Sequence, residues 1–290
     1  PLRRQRQMCI RDRPDISSFK KMVAYFDDSS TGAVTSLILC KKEHSGILQR
    51  MQQIEYYIIS FARKLFDFIN SVHVNPGPLS MYRTSLLKEL GGFDPNNLTE
   101  DIDMGWRVLK AGYRNRMCLN ARVYCTYPNN LKSWWRQRLR WNIGGMQTLF
   151  KHRKNMFNPK KSTFGMFVIP RLLSAYVLSI TGLSIFAYLL FKKIKSFVLT
   201  SFFASSAEVP QLALYKIYFT PTVFTFFVLV LFAFTIWYTY ISLKKTSKGF
   251  INFFKHIHLL ALYLVIYLAV FPPILIHSII ELTLNKTRWR

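Results

Sequence analysis

Two adjacent acids stand where a carboxylate could act as a base. The cluster Leu98–Asp103 contains Glu100 and Asp101, and apolar residues at helical spacing follow it. Because Thr99 is a residue type that caps helices, both acids are expected in the electrically positive first turn. An ordinary helix start also explains this pattern. If the helix end faces a cleft, however, Asp101 could deprotonate a bound hydroxyl as a general base, with Glu100 beside it as a second catalytic acid.

A second cluster offers groups that bind anions and sugars. If the surrounding segment is helical, one face carries an amide, a guanidinium, an indole and a glycine, from Gln137, Arg140, Trp141 and Gly144. A guanidinium makes forked contacts to phosphate, and a flat indole suits the face of a sugar ring. The same segment is rich in arginine and tryptophan, so a basic helix at a membrane surface is the alternative interpretation.

Four motifs in order resemble the membrane-embedded family 2 glycosyltransferases, a group that includes cellulose, hyaluronan and poly-N-acetylglucosamine synthases. Thr-Glu-Asp ends at Asp101, and Gln-Arg-x-Arg-Trp covers Gln137–Trp141. Upstream, Asn75–Arg83 is similar to the acceptor-side loop of that family, and Gly91–Asp94 to the turn before its Thr-Glu-Asp helix. The resemblance extends from about residue 14 to residue 158 and includes the apolar runs that follow.

The resemblance implies an α/β fold: the C-terminal half of a GT-A-like nucleotide-sugar transferase domain, followed by a transmembrane helical region. It implies an inverting hexosyltransferase with Asp101 as the base. Substrate binding is implied for seven residues: Gln137, Arg138, Arg140, Trp141, Gly77, Pro78 and Thr99. The implied partners are a nucleotide-sugar donor, UDP-N-acetylglucosamine or UDP-glucose, and a polysaccharide or lipid-linked acceptor.

The donor side of such an enzyme is not recognisable in the chain. In resembling enzymes an Asp-x-Asp before the segment similar to Pro14–Ser17 holds a divalent cation, Mg²⁺ or Mn²⁺, on the donor diphosphate. The corresponding positions fall in Pro1–Arg13, which has no Asp-x-Asp and contains a string that resembles a translated sequencing adaptor. We therefore expect residues 1–13 to be non-native or disordered. We also expect an N-terminally truncated chain that has no metal ligands of its own and is inactive alone.

The charge of the chain narrows the class of partner. The formal net charge is +26, from 40 Lys+Arg against 14 Asp+Glu. Nucleic acid, anionic lipid and a nucleotide diphosphate could each explain this excess. No nucleic-acid-binding motif accompanies it, and the basic residues cluster before and between apolar runs, which favours the lipid bilayer as partner. Cys9, Cys40, Cys118 and Cys125 lack metal-ligand spacing and predict no disulfide framework.

Apolar periodicity predicts an acceptor-side domain over residues 14–158. The expected helices are Ser17–Phe26, Ile47–Ile69, Thr84–Leu90, Thr99–Ala111 and Leu131–Phe150. The expected strands are Gly32–Cys40, Pro78–Tyr82, Tyr113–Cys118 and Arg122–Thr126. Alternating strands and helices predict an α/β sheet, with too few strands to close it.

The remaining residues, 159–290, read as a transmembrane region. Three apolar runs, at about 172–191, 217–243 and 257–284, are long enough to span a bilayer. They predict a multi-pass protein of the cell (plasma) membrane, with its catalytic part in the cytoplasm, where nucleotide sugars occur. The side of the C-terminus stays open, because three spans and the basic C-terminal residues predict opposite sides.

Three functions are compatible with this reading. The first is a processive polysaccharide synthase. The second performs the same chemistry once, on a lipid carrier. The third is a non-enzymatic membrane-interface module, in which the acids and aromatic residues are only caps and anchors.

Overall fold

The computed structural model describes residues 12–41, 46–161, 163–206, 223–247 and 253–284. These residues form two compact units. One comprises the chain up to Leu173 together with the segment from Thr239 onward, and the other is Ser174–Tyr238. The candidate functional residues all lie in the first unit.

The described α-helices follow one another along the chain with short connections in the first half. They are α1 (Ser18–Val23), α2 (Ile47–Phe68), α3 (Thr84–Glu89), α4 (Glu100–Lys110), α5 (Leu131–His152), α6 (Ile169–Ser206), α7 (Val223–Thr246) and α8 (Phe253–Thr283). The described strands are β1 (Arg13–Pro14), β2 (Thr31–Cys40), β3 (Ser80–Tyr82) and β4 (Arg114–Cys125). This mixture confirms the predicted α/β class, and helices make up most of it.

The four strands form one sheet in the order β1-β4-β2-β3. The central pair, β2 and β4, is parallel, and each edge strand is antiparallel to its neighbour. Strand β2 is buried from Thr31 to Leu39, which explains its continuous apolar run. The two strands predicted over 113–126 are a single strand. Its pairing with β2 changes register after Cys118, and this irregularity reads in sequence as a break.

Two predictions about the first elements need correction. Arg13, assigned to the excluded tail, pairs with Tyr124 in the sheet, since backbone pairing does not depend on the side-chain pattern. The helix predicted over Ser17–Phe26 ends at Val23 and continues as a 3₁₀ turn. Residues 1–11 of the tail lie outside the described residues.

The last helix packs against the sheet domain as part of the first unit. Leu259 and Leu260 of α8 contact Ile54 of α2, and the Trp135 Nε1–H of α5 donates to His277 Nδ1 at 3.2 Å. Helix α5 therefore contacts the sheet domain and a strongly apolar helix.

Two described helical segments, Phe164–Phe203 and His258–Thr283, are long and apolar enough to cross a membrane by length and composition alone. They overlap the first and third predicted runs. The second run, 217–243, begins outside the described residues, and its described part lies in α7.

Candidate active site

The first turn of α4 presents Asp101 to the loop before β3. Its Oδ1 accepts a hydrogen bond from the Ile102 N–H at 2.9 Å, and its Oδ2 accepts one from the Gly77 N–H at 3.2 Å. Two motifs that are separate in sequence therefore meet at one carboxylate. Pro78, next to Gly77, is partly buried in the same 3₁₀ turn, Gly77–Leu79. The strand predicted from Pro78 begins only at Ser80, since proline cannot donate to a ladder.

A buried pair of amides fixes this loop. Asn75 Nδ2 donates to Asn115 Oδ1 at 3.0 Å, and Asn115 Nδ2 donates to the carbonyls of Val72 and Gly105 at 2.8 and 2.9 Å. A Cβ at Gly105 would stand 3.3 Å from the His73 carbonyl oxygen, so glycine allows α4 to approach the loop closely. Both asparagines are fully buried, which makes these bonds costly to lose.

The same helix is anchored through Asp103, which is fully buried. Its carboxylate receives the Arg107 Nε at 2.9 Å, the Lys151 Nζ at 3.0 Å and the His152 Nε2 at 3.1 Å. Burial disfavours the charge, but the bonds from His152 and Lys151 and the nearby cations hold the pKa of Asp103 below its ordinary value. Lys151, one residue beyond the predicted end of the helix Leu131–Phe150, belongs to α5 and to this cluster.

Burial and nearby charges act in opposite directions on the two catalytic candidates. Burial raises the pKa of Asp101, while the N–H groups of Ile102 and Gly77 and the charges of Arg140 and Arg63 lower it; the net direction is upward. Burial also raises the pKa of Glu100, with a further contribution from the charge of Asp101 and opposition from Arg140. A carboxylate with a raised pKa is a stronger base when it is ionised, and this suits proton abstraction near neutral pH.

Helix α5 approaches the start of α4 at Gly144. Thr99 is 4% exposed, and its side chain lies directly against Gly144. Thr99 occupies the position before the helix as predicted, yet its hydroxyl makes no capping hydrogen bond in the described structure, because that side chain is turned into the packing contact. Further along α5, Gln147 Oε1 accepts from the Leu98 N–H at 3.1 Å.

This contact leads to a prediction for Gly144→Ala. An added Cβ would stand 2.2 Å from Thr99 Oγ1 and 2.6 Å from its Cγ2, so α4 and α5 must separate. We expect overpacking to lower the free energy of unfolding by about 1–3 kcal/mol, measured by denaturant melting in detergent.

Two further variants control this measurement. Thr99→Gly in the Gly144→Ala background removes the clashing atoms and should restore much of the stability. Gly182→Ala, where an added Cβ meets no atom within 4 Å, should leave it unchanged. A Gly144→Ala chain as stable as the parent would contradict the contact.

The Arg138 side chain faces helix α2. It is 5% exposed and forms a two-pronged ion pair with Glu55 of α2, which is 1% exposed. Its guanidinium carbon lies over the Trp141 ring, 4.4 Å from the centroid, and 5.5 Å from that of Trp134. The side chain is thus committed to holding α5 on α2, and we assign it to positioning Trp141 rather than to substrate contact.

Two tyrosine rings support the partly buried Trp141 ring. Its ring stands edge-on to Tyr56, with centroids 6.4 Å apart, and Tyr56 stacks on Tyr127 at 4.7 Å. Nearby on the same helix, Gln137 Oε1 is a buried acceptor that has no hydrogen-bond partner among the described residues. An indole fixed in orientation and an uncommitted amide are groups suited to a sugar.

Residues 12–274 match the family profile described as "Glycosyl transferase family group 2". The chain belongs to this family. Poly-beta-1,6-N-acetyl-D-glucosamine synthase of Staphylococcus aureus (strain COL) is 30% identical over 125 residues, which are 43% of this chain and 30% of the relative. The synthase of Staphylococcus epidermidis is 28% identical over 147 residues, 50% of this chain and 34% of the relative. The chain thus spans about a third of the length of these relatives.

A solved mannosyltransferase from Pyrobaculum calidifontis, PcManGT in complex with GDP-Man and Mn²⁺, is also similar. The match has a TM-score of 0.38 and 18% identity and covers 64% of this chain and 52% of that one.

In the part of the chain that the structure describes, Asp101 and Asp103 are not arranged to hold a divalent cation. Among the described residues, no group of three or more His, Cys, Asp or Glu side chains is gathered to hold a metal ion. Asp103 is enclosed by Arg107, Lys151 and His152, and Asp101 receives two backbone N–H bonds. No step is therefore assigned to a cation bound here.

Of the residues predicted from sequence, Asp101 and Gly77 are in contact, and the charge of Arg140 acts on Asp101 and Glu100. Arg138 is paired with Glu55 instead. Sequence reasoning overlooked Arg63 of α2, whose charge acts on Asp101. A signal was available, because Arg63 is a cation on the inward face of an amphipathic helix.

Proposed function

We propose that this chain is the acceptor side of a membrane-bound inverting glycosyltransferase that extends a polysaccharide. The observation that carries this proposal is the Asp101 carboxylate, held by the N–H groups of Gly77 and Ile102 beside Arg140. The relatives are named as synthases of a poly-N-acetylglucosamine, which favours UDP-N-acetylglucosamine as the donor, with UDP-glucose as the second choice.

In the proposed reaction, Asp101 takes the proton of the acceptor hydroxyl while its oxygen attacks the anomeric carbon of the donor sugar. The bond from that carbon to the diphosphate breaks, and the electron pair leaves with the diphosphate. Arg140 offsets the charge that develops, and the Gln137 amide donates a hydrogen bond to the same group. Attack from the face opposite the leaving group inverts the anomeric configuration.

The donor diphosphate needs a cation site that the described residues do not form. When bound, Mg²⁺ or Mn²⁺ neutralises phosphate charge. We propose that this ion and the donor base are held by residues beyond those described, and that the described chain supplies the acceptor base and platform.

The two apolar helical segments and the basic residues around 151–161 support a location in the cell membrane with the catalytic part on the cytoplasmic face. Trp141 would carry the terminal sugar of the acceptor, close to α8, which packs against the same helix α5. This proximity favours a polymer that is passed into the membrane over a single transfer to a lipid.

The product length tests this proposal. Membranes containing the full-length protein are supplied with labelled UDP-N-acetylglucosamine or UDP-glucose and with Mg²⁺ or Mn²⁺. We expect a ladder of oligomers with one of the donors. A single lipid-linked sugar would favour transfer to a lipid carrier. If the parent protein turns over no donor, and membrane binding survives Asp101→Asn, the non-enzymatic module is favoured.

Trp141→Ala should shorten or stop the polymer in the same assay while sparing some hydrolysis of the donor. The reason is that the terminal sugar loses its platform, whereas Asp101 and Arg140 remain. Phe at the same position keeps a flat ring and should restore longer products. Polymers of normal length from Trp141→Ala would exclude the platform role.

A further inference from the structure

The start of the first apolar helix packs against α4, the helix that carries Asp101. Residues 163–171, here called the docking segment, include the π-helical turn Phe164–Val168 and the first residues of α6. Phe164 is 1% exposed, and its ring stands edge-on to the Trp106 ring of α4, with centroids 5.5 Å apart. The docking segment therefore contacts the element that positions the candidate base.

The docking segment also contacts the stretch of chain that leads into the loop of Gly77. Thr163 Oγ1 donates to the Asn70 carbonyl at 3.0 Å, and Phe167 packs on Phe66 of α2, with ring centroids 5.8 Å apart. Asn70 follows the end of α2 in the left-handed conformation, with φ 54°, which asparagine tolerates better than most residues. The turn that redirects the chain toward the loop is thus held by the docking segment.

Arg171 and His73 make the most directional of these contacts. The His73 Nδ1 lies 3.2 Å from the Ser71 carbonyl oxygen, which can only accept, so Nδ1 carries the proton. This tautomer leaves the lone pair of Nε2 to accept the hydrogen bond that Arg171 Nη2 donates. The arrangement requires a neutral imidazole, and burial together with the charge of Arg171 lowers the pKa of His73 to about 3. The Arg171 guanidinium also lies over the Phe66 ring, 5.0 Å from its centroid.

The backbone of His73 is joined to the acceptor loop. Its carbonyl oxygen lies so near α4 that a Cβ on Gly105 would stand 3.3 Å from it. Two residues later, the Asn75 side chain is fixed by its buried amide bond, and two residues after that the Gly77 N–H donates to Asp101. A displacement at His73 is therefore transmitted through four residues to an N–H group that holds the base.

We propose that Arg171 is a positioning residue of the acceptor site: through the neutral His73 ring, the start of the apolar helix fixes the loop whose Gly77 N–H holds Asp101. The position of the base then depends on how the docking segment is seated. The effect on sugar transfer rests on the proposed function, whereas the coupling between the docking segment and the loop does not.

Hydrogen exchange of the chain in detergent tests the coupling without any need for activity. Arg171→Met keeps an apolar stem and removes the donor. We expect amide exchange over residues 71–77 to become about tenfold faster or more, the effect of losing a hydrogen bond from a charged group. Arg171→Lys keeps a charged donor and should return most of the protection. Arg136→Met removes an exposed arginine from α5 and should leave exchange unchanged.

A double-mutant cycle tests whether Arg171 acts through His73. His73→Phe removes the accepting nitrogen and keeps a ring against Phe66, on which the imidazole stands edge-on at 5.7 Å between centroids. If the two side chains act through each other, adding Arg171→Met to His73→Phe should change the exchange rate by less than about twofold. Fully additive effects of the two substitutions would overturn the route through His73.

Kinetics of the full-length protein test the positioning role. Arg171→Met should lower kcat about 10–100-fold, because a displacement of about 1 Å can cost that much, while KM for the donor stays within about twofold. Arg171→Lys should restore much of kcat, whereas a merely structural loss would lower the amount of folded protein and leave kcat per folded molecule unchanged.

Three results would contradict parts of this account. Unchanged exchange in Arg171→Met, or a lysine variant that exchanges like the methionine variant, would overturn the coupling. Faster exchange with an unchanged kcat would overturn the positioning role. Absence of transfer in every protein, the parent included, with exchange still faster in Arg171→Met, would instead count against the proposed function and leave the coupling standing.

Discussion

Replacing Asp101 with Asn is expected to reduce sugar transfer by the full parent protein about 10²–10⁴-fold, the usual contribution of a general base. The amide is nearly isosteric with the carboxylate, so the shape of the loop around Gly77 should survive. The lost property is the capacity to take the proton from the acceptor hydroxyl. Donor binding should change little, because Arg140 and Gln137 remain.

Asp27→Asn is the matched control, since it makes the same chemical change at an exposed carboxylate near the sheet. It should leave transfer unchanged. Initial rates and donor affinity are measured for both variants on the same preparations. An Asp101→Asn protein that keeps more than about a tenth of the parent rate would exclude Asp101 as the base.

The second large effect is expected on stability. Arg138→Met should lower the free energy of unfolding by about 3–5 kcal/mol, because it leaves the Glu55 carboxylate buried without its partner. The ion pair joins α2 to α5, and the guanidinium also supports the Trp141 ring. The loss should therefore destabilise the chain and also loosen the acceptor platform.

A double-mutant cycle separates these contributions. Glu55→Leu with Arg138→Met replaces the pair by apolar side chains of similar size and should recover most of the stability. Arg136→Met, at an exposed arginine of the same helix, should change the free energy of unfolding by no more than about 0.5 kcal/mol. A loss below about 1 kcal/mol for Arg138→Met would mean that the buried pair does not hold the two helices together.

Local patterns predicted the elements around the site well. Helical periodicity located α2, α4 and α5 to within a few residues, because each carries a regular apolar stripe. The resemblance of ordered motifs assigned Asp101 and Gly77 separate roles, but it did not predict the hydrogen bond between them, since no local pattern relates residues so far apart in the chain. The single strand β4 was predicted as two, because a register change interrupts alternation without ending the strand.

Helical periodicity could not predict which residue pairs with each inward-facing cation. Spacing predicts which residues share a face of α5, but it does not say which neighbouring helix a given face meets. Arg138 was therefore predicted to bind substrate, although it forms an ion pair with Glu55 of α2. For the same reason Thr99 was predicted to cap the helix. Its side chain instead packs against Gly144, which has no side chain to fill that space.

Incorporation of labelled sugar into polymer is the measurement that tests the central claim most directly. The full-length protein, in membranes with Mg²⁺ or Mn²⁺, is supplied with each nucleotide sugar, and the anomeric configuration of the product is determined. The proposed function predicts a polymer whose new linkages are inverted relative to the donor, formed by the parent and abolished by Asp101→Asn. Retained configuration, or equal incorporation by the two proteins, would contradict it.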